Sequence, residues 1–102
     1  PEYNYGYNAA TKNAIDYLNA EWVDKAVSFV SYGGIAGGTR AVQQLKQVVT
    51  TLRMVPIFEP INITFAGGQL GEDGEAVANA ERDVAADAML DELLRVTKLL
   101  RP

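Results

Sequence analysis

Apolar residues recur at helical spacing soon after the chain begins. Ile15, Leu18 and Trp22 fall at i, i+3 and i+7, with Lys12, Asp16 and Glu21 off that stripe. The pattern predicts a helix from Asn8, whose short amide suits an N-cap, to about Trp22. The run from Ala26 to Ser31, bounded by Lys25 and by glycines, predicts a buried parallel strand. The glycine-rich stretch SYGGIAGG follows, and Thr39 is a candidate cap for a helix over 39–52. Val42, Leu45, Val48 or Val49, and Leu52 form one apolar face of that helix. Met54 to Phe58 predicts a second strand. Pro56 has no N–H to give a ladder, which places this strand at a sheet edge.

A long loop from Asn62 to Gly74 carries Gly67, Gly68 and Gly71, and loops of that length often serve function or assembly. The longest helix is predicted from Glu75 to about Leu100, with Ala78, Ala85, Met89, Val96 and Leu100 along one side and Pro102 past its end. The order is helix, strand, helix, strand, helix. A strand–helix–strand crossover of this length is a right-handed parallel unit. The expected fold class is α/β, with two parallel strands and three helices. Val27, Phe29, Val55 and Ile57 are the expected buried strand residues, and the first strand keeps an edge that wants a partner.

At 102 residues there is room for one domain with one modest core. The chain has no Cys and no His, which removes disulfides, thiol chemistry, imidazole catalysis and nearly all zinc or transition-metal sites. No apolar run approaches the ~20 residues of a membrane span. The net charge of −4 speaks against a nucleic-acid surface. Acids gather early in the last predicted helix and Arg95, Lys98 and Arg101 late, which suits the helix dipole and a solvated face.

In open parallel sheets ligands bind beyond the carboxyl ends of the strands. Two loops qualify: PEYNYGY at the start, and Ser31 to Gly38 after the first strand. Both precede helices, so main-chain N–H groups are available to acceptor atoms. Glycines let that backbone approach a flat ligand, and tyrosines add large faces with a polar tip.

These residues carry a resemblance. PEYN, a turn and then KNAIDYL resemble the flavin loop and helix of the NAD(P)H-dependent FMN reductases, a flavodoxin-like family that includes flavin, quinone, azo-dye and chromate reductases. KAVSFVSYGGIAGGTRAVQQLKQVV resembles that family's next strand, flavin-edge loop and helix, and GEDGE its acidic turn. The resemblance implies that Pro1, Glu2, Tyr3 and Asn4 lie along the isoalloxazine ring of FMN, largely through backbone groups. It implies that Tyr32, Gly33 and Gly34 meet the ring's opposite edge. Tyr5 and Gly6 fall in the variable part of the first loop, and Thr11 stands where the family usually has a large apolar residue. Nothing matches the family's Gly-Ser-x-Arg-type phosphate loop. Residues 1–102 are therefore expected to form the C-terminal half of a flavodoxin-like domain, with Pro56 on its edge strand.

The activity so implied is electron transfer from NAD(P)H through FMN to a flavin, quinone or similar small acceptor, in a cytoplasmic homo-oligomer. No side-chain acid or base is required, so no catalytic residue and no metal ligand is assigned. Glu2 is the one candidate for proton handling, and its place in a backbone-contacting loop favours a structural role. Two other readings stand beside this one. The chain as given is a non-catalytic piece of such an enzyme, with tight FMN binding not expected of it alone. Or GGIAGG is a dinucleotide fingerprint, with Glu59 as the ribose-binding acid, although Tyr32 then occupies the place of its first glycine.

Overall fold

The computed structural model describes residues 1–101; Pro102, expected just past the last helix, lies outside the described residues. The opening stretch, expected as a loop, is a tight hairpin of β1 (Glu2–Tyr3) and β2 (Gly6–Tyr7), with Glu2 opposite Tyr7 and Tyr3 opposite Gly6. Its two-residue turn has φ of 52° at Asn4 and 69° at Tyr5. Such primed turns match the twist of the flanking strands and require positive φ at both positions. Asn tolerates that region well; Tyr does not, and something else must hold Tyr5 there.

α1 (Ala9–Asp16) is capped by Asn8, whose Oδ1 accepts the N–H of Thr11 at 2.8 Å. It is shorter than the periodicity implies. The indole N–H of Trp22 donates to the Ile15 carbonyl at 2.9 Å, taking an acceptor that helix continuation would use. The chain tightens at Tyr17 and Leu18, and Trp22 lies in a separate 3-10 turn, Ala20–Trp22.

Parallel strands form at both predicted places, but in two ladders, and the second ladder uses Ile61–Ile63, beyond the strand expected over Met54–Phe58. β3 (Ala26–Val27) pairs in parallel with β5 (Val55–Pro56), and β4 (Val30–Tyr32) with β6 (Ile61–Ile63). β6 falls partly within the segment expected as a loop. Val27 is opposite Pro56 and Val30 is opposite Ile61, so the second strand carries two extra residues between the ladders. Phe58, Glu59 and Pro60 bulge out, and Ser28 Oγ donates to the Glu59 carbonyl at 3.0 Å across the gap. Pro56 sits as expected. The N–H groups of Val55 and Ile57 on either side of it reach Lys25 O at 2.8 Å and Val27 O at 2.9 Å, so its own nitrogen faces away from the partner strand.

α2 (Thr39–Thr51) packs on β4, β5 and the hairpin, and buries Ala41, Val42 and Val49. α3 (Ala80–Leu100) packs on β3 and β6. It starts at Ala80 rather than Glu75, because Asn79 Oδ1 caps it by accepting the Arg82 N–H at 2.9 Å. Asn79 itself is extended, and ahead of it Ala76 bridges antiparallel to Leu70. Ile57, Ile61 and Met89 form a buried cluster, to which Ile63, Ala85, Leu93 and Val96 add. Of the four expected buried strand residues only Ile57 is fully covered. Val27 and Phe29 are half-buried, and Val55, on the edge strand, is 37% exposed. Among the described residues no helix is long and apolar enough to cross a membrane.

Candidate functional site

Both sequence-predicted loops converge on the N-terminal turn of α2. From the hairpin, the Glu2 carboxylate turns inward, its side chain only 10% exposed. Oε1 accepts the Ala41 N–H at 3.1 Å, and Oε2 pairs with Arg40 Nη1 at 3.2 Å. The acid thus satisfies one of the orphan donors that open a helix and sits at its positive dipole end. Arg40 lies in turn over the Tyr5 ring, with Cζ 3.8 Å from its centroid. That contact offsets the cost of holding Tyr5 at positive φ. Of the residues assigned to this loop, Glu2 thus has its side chain committed to α2, Tyr3 is exposed, and Asn4 forms the turn. Pro1 lines a groove of about 330 Å³ with Val30, Ser31 and residues of α2.

The second loop leads directly into α2. Ser31, buried at the end of β4, has its hydroxyl 2.7 Å from the Gly37 carbonyl and 2.8 Å from Asn62 Oδ1. One hydroxyl hydrogen cannot serve both, so Ser31 donates to Gly37 and takes the Asn62 amide as its partner, with Nδ2 turned toward it. Gly38, not Thr39, is the helix N-cap, with φ of 81°. A Cβ there would come within 2.7 Å of the Ser31 Cβ. Thr39 is instead the first helical residue and donates its hydroxyl to Ala36 O at 2.9 Å. Gly33 donates to Ile63 O at 3.1 Å, while Gly33 O and Gly34 O accept from Ala66 and Phe65 at 3.1 and 2.9 Å.

Gly34 and Ile35 form the exposed crest of the loop. Their N–H groups have no acceptor among the described residues, and a Cβ on Gly34 would meet nothing within 4 Å. Tyr32 turns away from the groove at Pro1. It lines a separate, largely apolar cavity of about 360 Å³ with Ile63, Leu70 and Arg82. The structure thus joins Glu2 and the glycine loop through α2, and leaves Pro1 and Tyr32 on different cavities. Among the described residues no group of three or more acids stands arranged to hold a metal ion.

Glu59, the acid that a dinucleotide fingerprint would need at a strand end, sits in the bulge ahead of β6 with Oε2 buried and unpartnered among the described residues. The glycine loop lies beside the other end of β6, at Ile63. Arg40, Asn62 and Phe65 carry no signal in the sequence pattern. Their roles depend on strands and helices far apart in the chain, and no spacing rule reports them.

The family model for NADPH-dependent FMN reductase matches residues 1–67. The NAD(P)H-dependent FMN reductase LOT6 of Saccharomyces cerevisiae is 52% identical over 54 residues, covering 53% of this chain and 28% of its own. The NAD(P)H-dependent FMN reductase ntnL of Nectria sp is 35% identical over 116 residues, covering 96% of this chain and 54% of its own. Among solved structures, the flavoenzyme NAD(P)H:(acceptor) oxidoreductase FerB of Paracoccus denitrificans superposes with a TM-score of 0.59 at 25% identity, covering 98% of this chain and 57% of that one. The chain spans about half, or less, of the length of the curated relatives it matches.

Proposed function

The chain belongs to the NADPH-dependent FMN reductase family, and from that premise we propose that it forms the ring-binding part of an NAD(P)H-dependent flavin oxidoreductase. The observation that carries this is the exposed crest of the glycine loop, where the consecutive N–H groups of Gly34 and Ile35 have no acceptor among the described residues. Such donors fit the carbonyl oxygens and unprotonated ring nitrogens on the edge of an isoalloxazine ring. Main chain of Pro1, Glu2, Tyr3 and Asn4 would hold the ring on the hairpin side, and Tyr32, Gly33 and Gly34 on the other. When bound, FMN supplies the redox chemistry, accepting hydride from NAD(P)H and passing electrons to a small acceptor such as a flavin or quinone.

The protein's own contribution is placement and electrostatics. Glu2 is committed to Ala41 and Arg40, so it fixes the hairpin on α2 and leaves the chemistry to main-chain donors. A cytoplasmic setting, where reduced nicotinamide is replenished, goes with this reading. So does self-association, which the open edge of β3 and β4 favours.

FMN titration followed by flavin fluorescence, with NADPH oxidation in the presence of FMN and a quinone, tests the proposal. Saturable quenching with FMN-dependent NADPH oxidation is expected. Quenching without turnover favours a non-catalytic, ring-binding chain. No FMN-dependent change at any concentration sinks the proposal.

A further inference from the structure

We infer that Phe65 is the positioning residue of the ring-binding loop: its left-handed backbone aims the N–H groups of Gly34 and Ile35 outward as a donor pair for a flat heterocyclic carbonyl edge. The inference rests on the flavin reading above and assigns the residue that makes the site.

Phe65 has φ 46° and ψ 52°, a region that side-chain-bearing residues other than Asn and Asp rarely enter. The residue is 62% exposed, so burial does not hold it there. What the conformation achieves is a two-point clamp. Consecutive N–H groups of Phe65 and Ala66 donate to Gly34 O at 2.9 Å and Gly33 O at 3.1 Å. Every described peptide bond is trans, and in a trans peptide the C=O and the following N–H point in opposite directions. Gly34 O also accepts the Gly37 N–H of its own loop at 3.3 Å, while Gly33 O has Ala66 as its donor. Drawing the carbonyls of Gly33 and Gly34 down onto Ala66 and Phe65 therefore turns the N–H groups of Gly34 and Ile35 away from them, with the local Gly37 bond acting in the same sense on the second peptide.

The rest of the segment braces this arrangement. Ile63 O accepts the Gly33 N–H, and Asn62 meets Ser31 at the base of the loop. Strain kept at an exposed aromatic, with neighbouring backbone over-determining it, marks a site where conformation serves function. The loop from Gly33 to Gly38 carries no charged side chain. The donor pair therefore acts through main-chain N–H groups alone, which suit the carbonyl oxygens of a heterocycle.

Three variants separate a backbone role from a side-chain role: Phe65→Gly, Phe65→Asn and Phe65→Val. Gly and Asn adopt the left-handed region readily; a β-branched residue does not. Through-hydrogen-bond NMR couplings from the Phe65 and Ala66 nitrogens to the Gly34 and Gly33 carbonyls report the clamp without ligand. FMN titrations followed on the same amides report affinity. The couplings are expected in the wild-type chain, Phe65→Gly and Phe65→Asn, with affinity within about twofold and FMN slowing exchange of the Gly34 and Ile35 amides. Phe65→Val is expected to lose the couplings and about tenfold in affinity, the effect of misaiming one or two hydrogen bonds. If Phe65→Val does not fold, Phe65→Ala supplies the Cβ-bearing arm.

Equal losses in Gly, Asn and Val would show that the ring itself makes the contact and would overturn the inference. Unchanged affinity in all variants, or no coupling in the wild-type chain, would overturn it too. Those results leave the flavin reading standing. Absence of any FMN-dependent shift in the wild-type chain at millimolar FMN removes that reading and the inference together.

Discussion

Glu2 and Arg40 are 38 residues apart in sequence and 3.2 Å apart in the fold, and their contact fixes the opening hairpin on α2. Glu2→Ala removes both the ion pair and the acceptor for the Ala41 N–H, and is expected to cost ~1–2 kcal/mol, in the range of a lost N-cap. Glu2→Gln keeps a side-chain acceptor for Ala41 and should cost under ~1 kcal/mol, because Arg40 is partly solvated. Urea denaturation of the two variants checks the order; equal losses would show that the cap is irrelevant.

Gly38→Ala meets two penalties at once: φ of 81°, and a Cβ 2.7 Å from that of Ser31. Gly74 has φ of 79° but nothing within 4 Å of an added Cβ. Gly74→Ala should therefore cost about 1 kcal/mol, from backbone strain alone. Gly38→Ala should cost several-fold more or prevent folding. Thermal melts of the pair measure the difference. Similar melting temperatures would mean that the loop does not press on β4.

The burial pattern makes a matched prediction on one strand. Ile57→Ala opens a cavity in the cluster with Ile61 and Met89, and is expected to cost ~2–4 kcal/mol. Val55→Ala, on the 37% exposed edge position two residues earlier, should cost under about half as much. Chemical denaturation of both variants decides whether the core lies where the cluster places it.

On α3, Arg95 grips the Glu92 carboxylate with two hydrogen bonds of 2.7 and 2.6 Å, and this holds the Glu92 pKa below its ordinary value. A depressed carboxylate pKa stabilises the fold above the unfolded-state value, and the contribution is lost as pH falls through the folded-state value. The contribution is small, surface-exposed and weakened by salt. An NMR titration of the Glu92 side chain should give a midpoint below that of a free glutamate. Arg95→Gln should restore the ordinary midpoint, and an ordinary midpoint in the wild-type chain would refute the pairing in solution.

The open edge of the sheet predicts self-association. The N–H groups of Ile57 and Ile61 bond to Val27 and Phe29, and that of Gly33 to Ile63, so Ala26, Ser28, Val30 and Tyr32 direct their main chain to the other side. Among the described residues those groups have no partner. Light scattering coupled to size exclusion, at tens of micromolar chain, should show more than one chain per particle. A single folded peak at the mass of one chain would refute this.

The sequence by itself determined the α/β class, the parallel crossover, the Asn8 cap, the edge position of Pro56 and the two loops that meet at the start of α2. Each of these follows from local chemistry: helical spacing of apolar residues, a short amide ahead of a helix, a missing donor, glycines between a strand and a helix. The boundaries that failed depend on partners distant in the chain. α1 stops at Asp16 because the Trp22 indole folds back onto Ile15, and the second strand breaks because Phe58 to Pro60 bulge against Ser28. α3 begins at Ala80 because Asn79 caps it more effectively than the acidic turn before it could. The site divides in the same way. Gly33 and Gly34 are legible as a glycine loop. The loop's own turn accounts for the Gly37 N–H bond to Gly34 O, but that Phe65 and Ala66 draw both carbonyls down, turning two N–H groups outward, was decided only when β4 and β6 came together, since those hydrogen bonds join segments about 30 residues apart that no local pattern encodes.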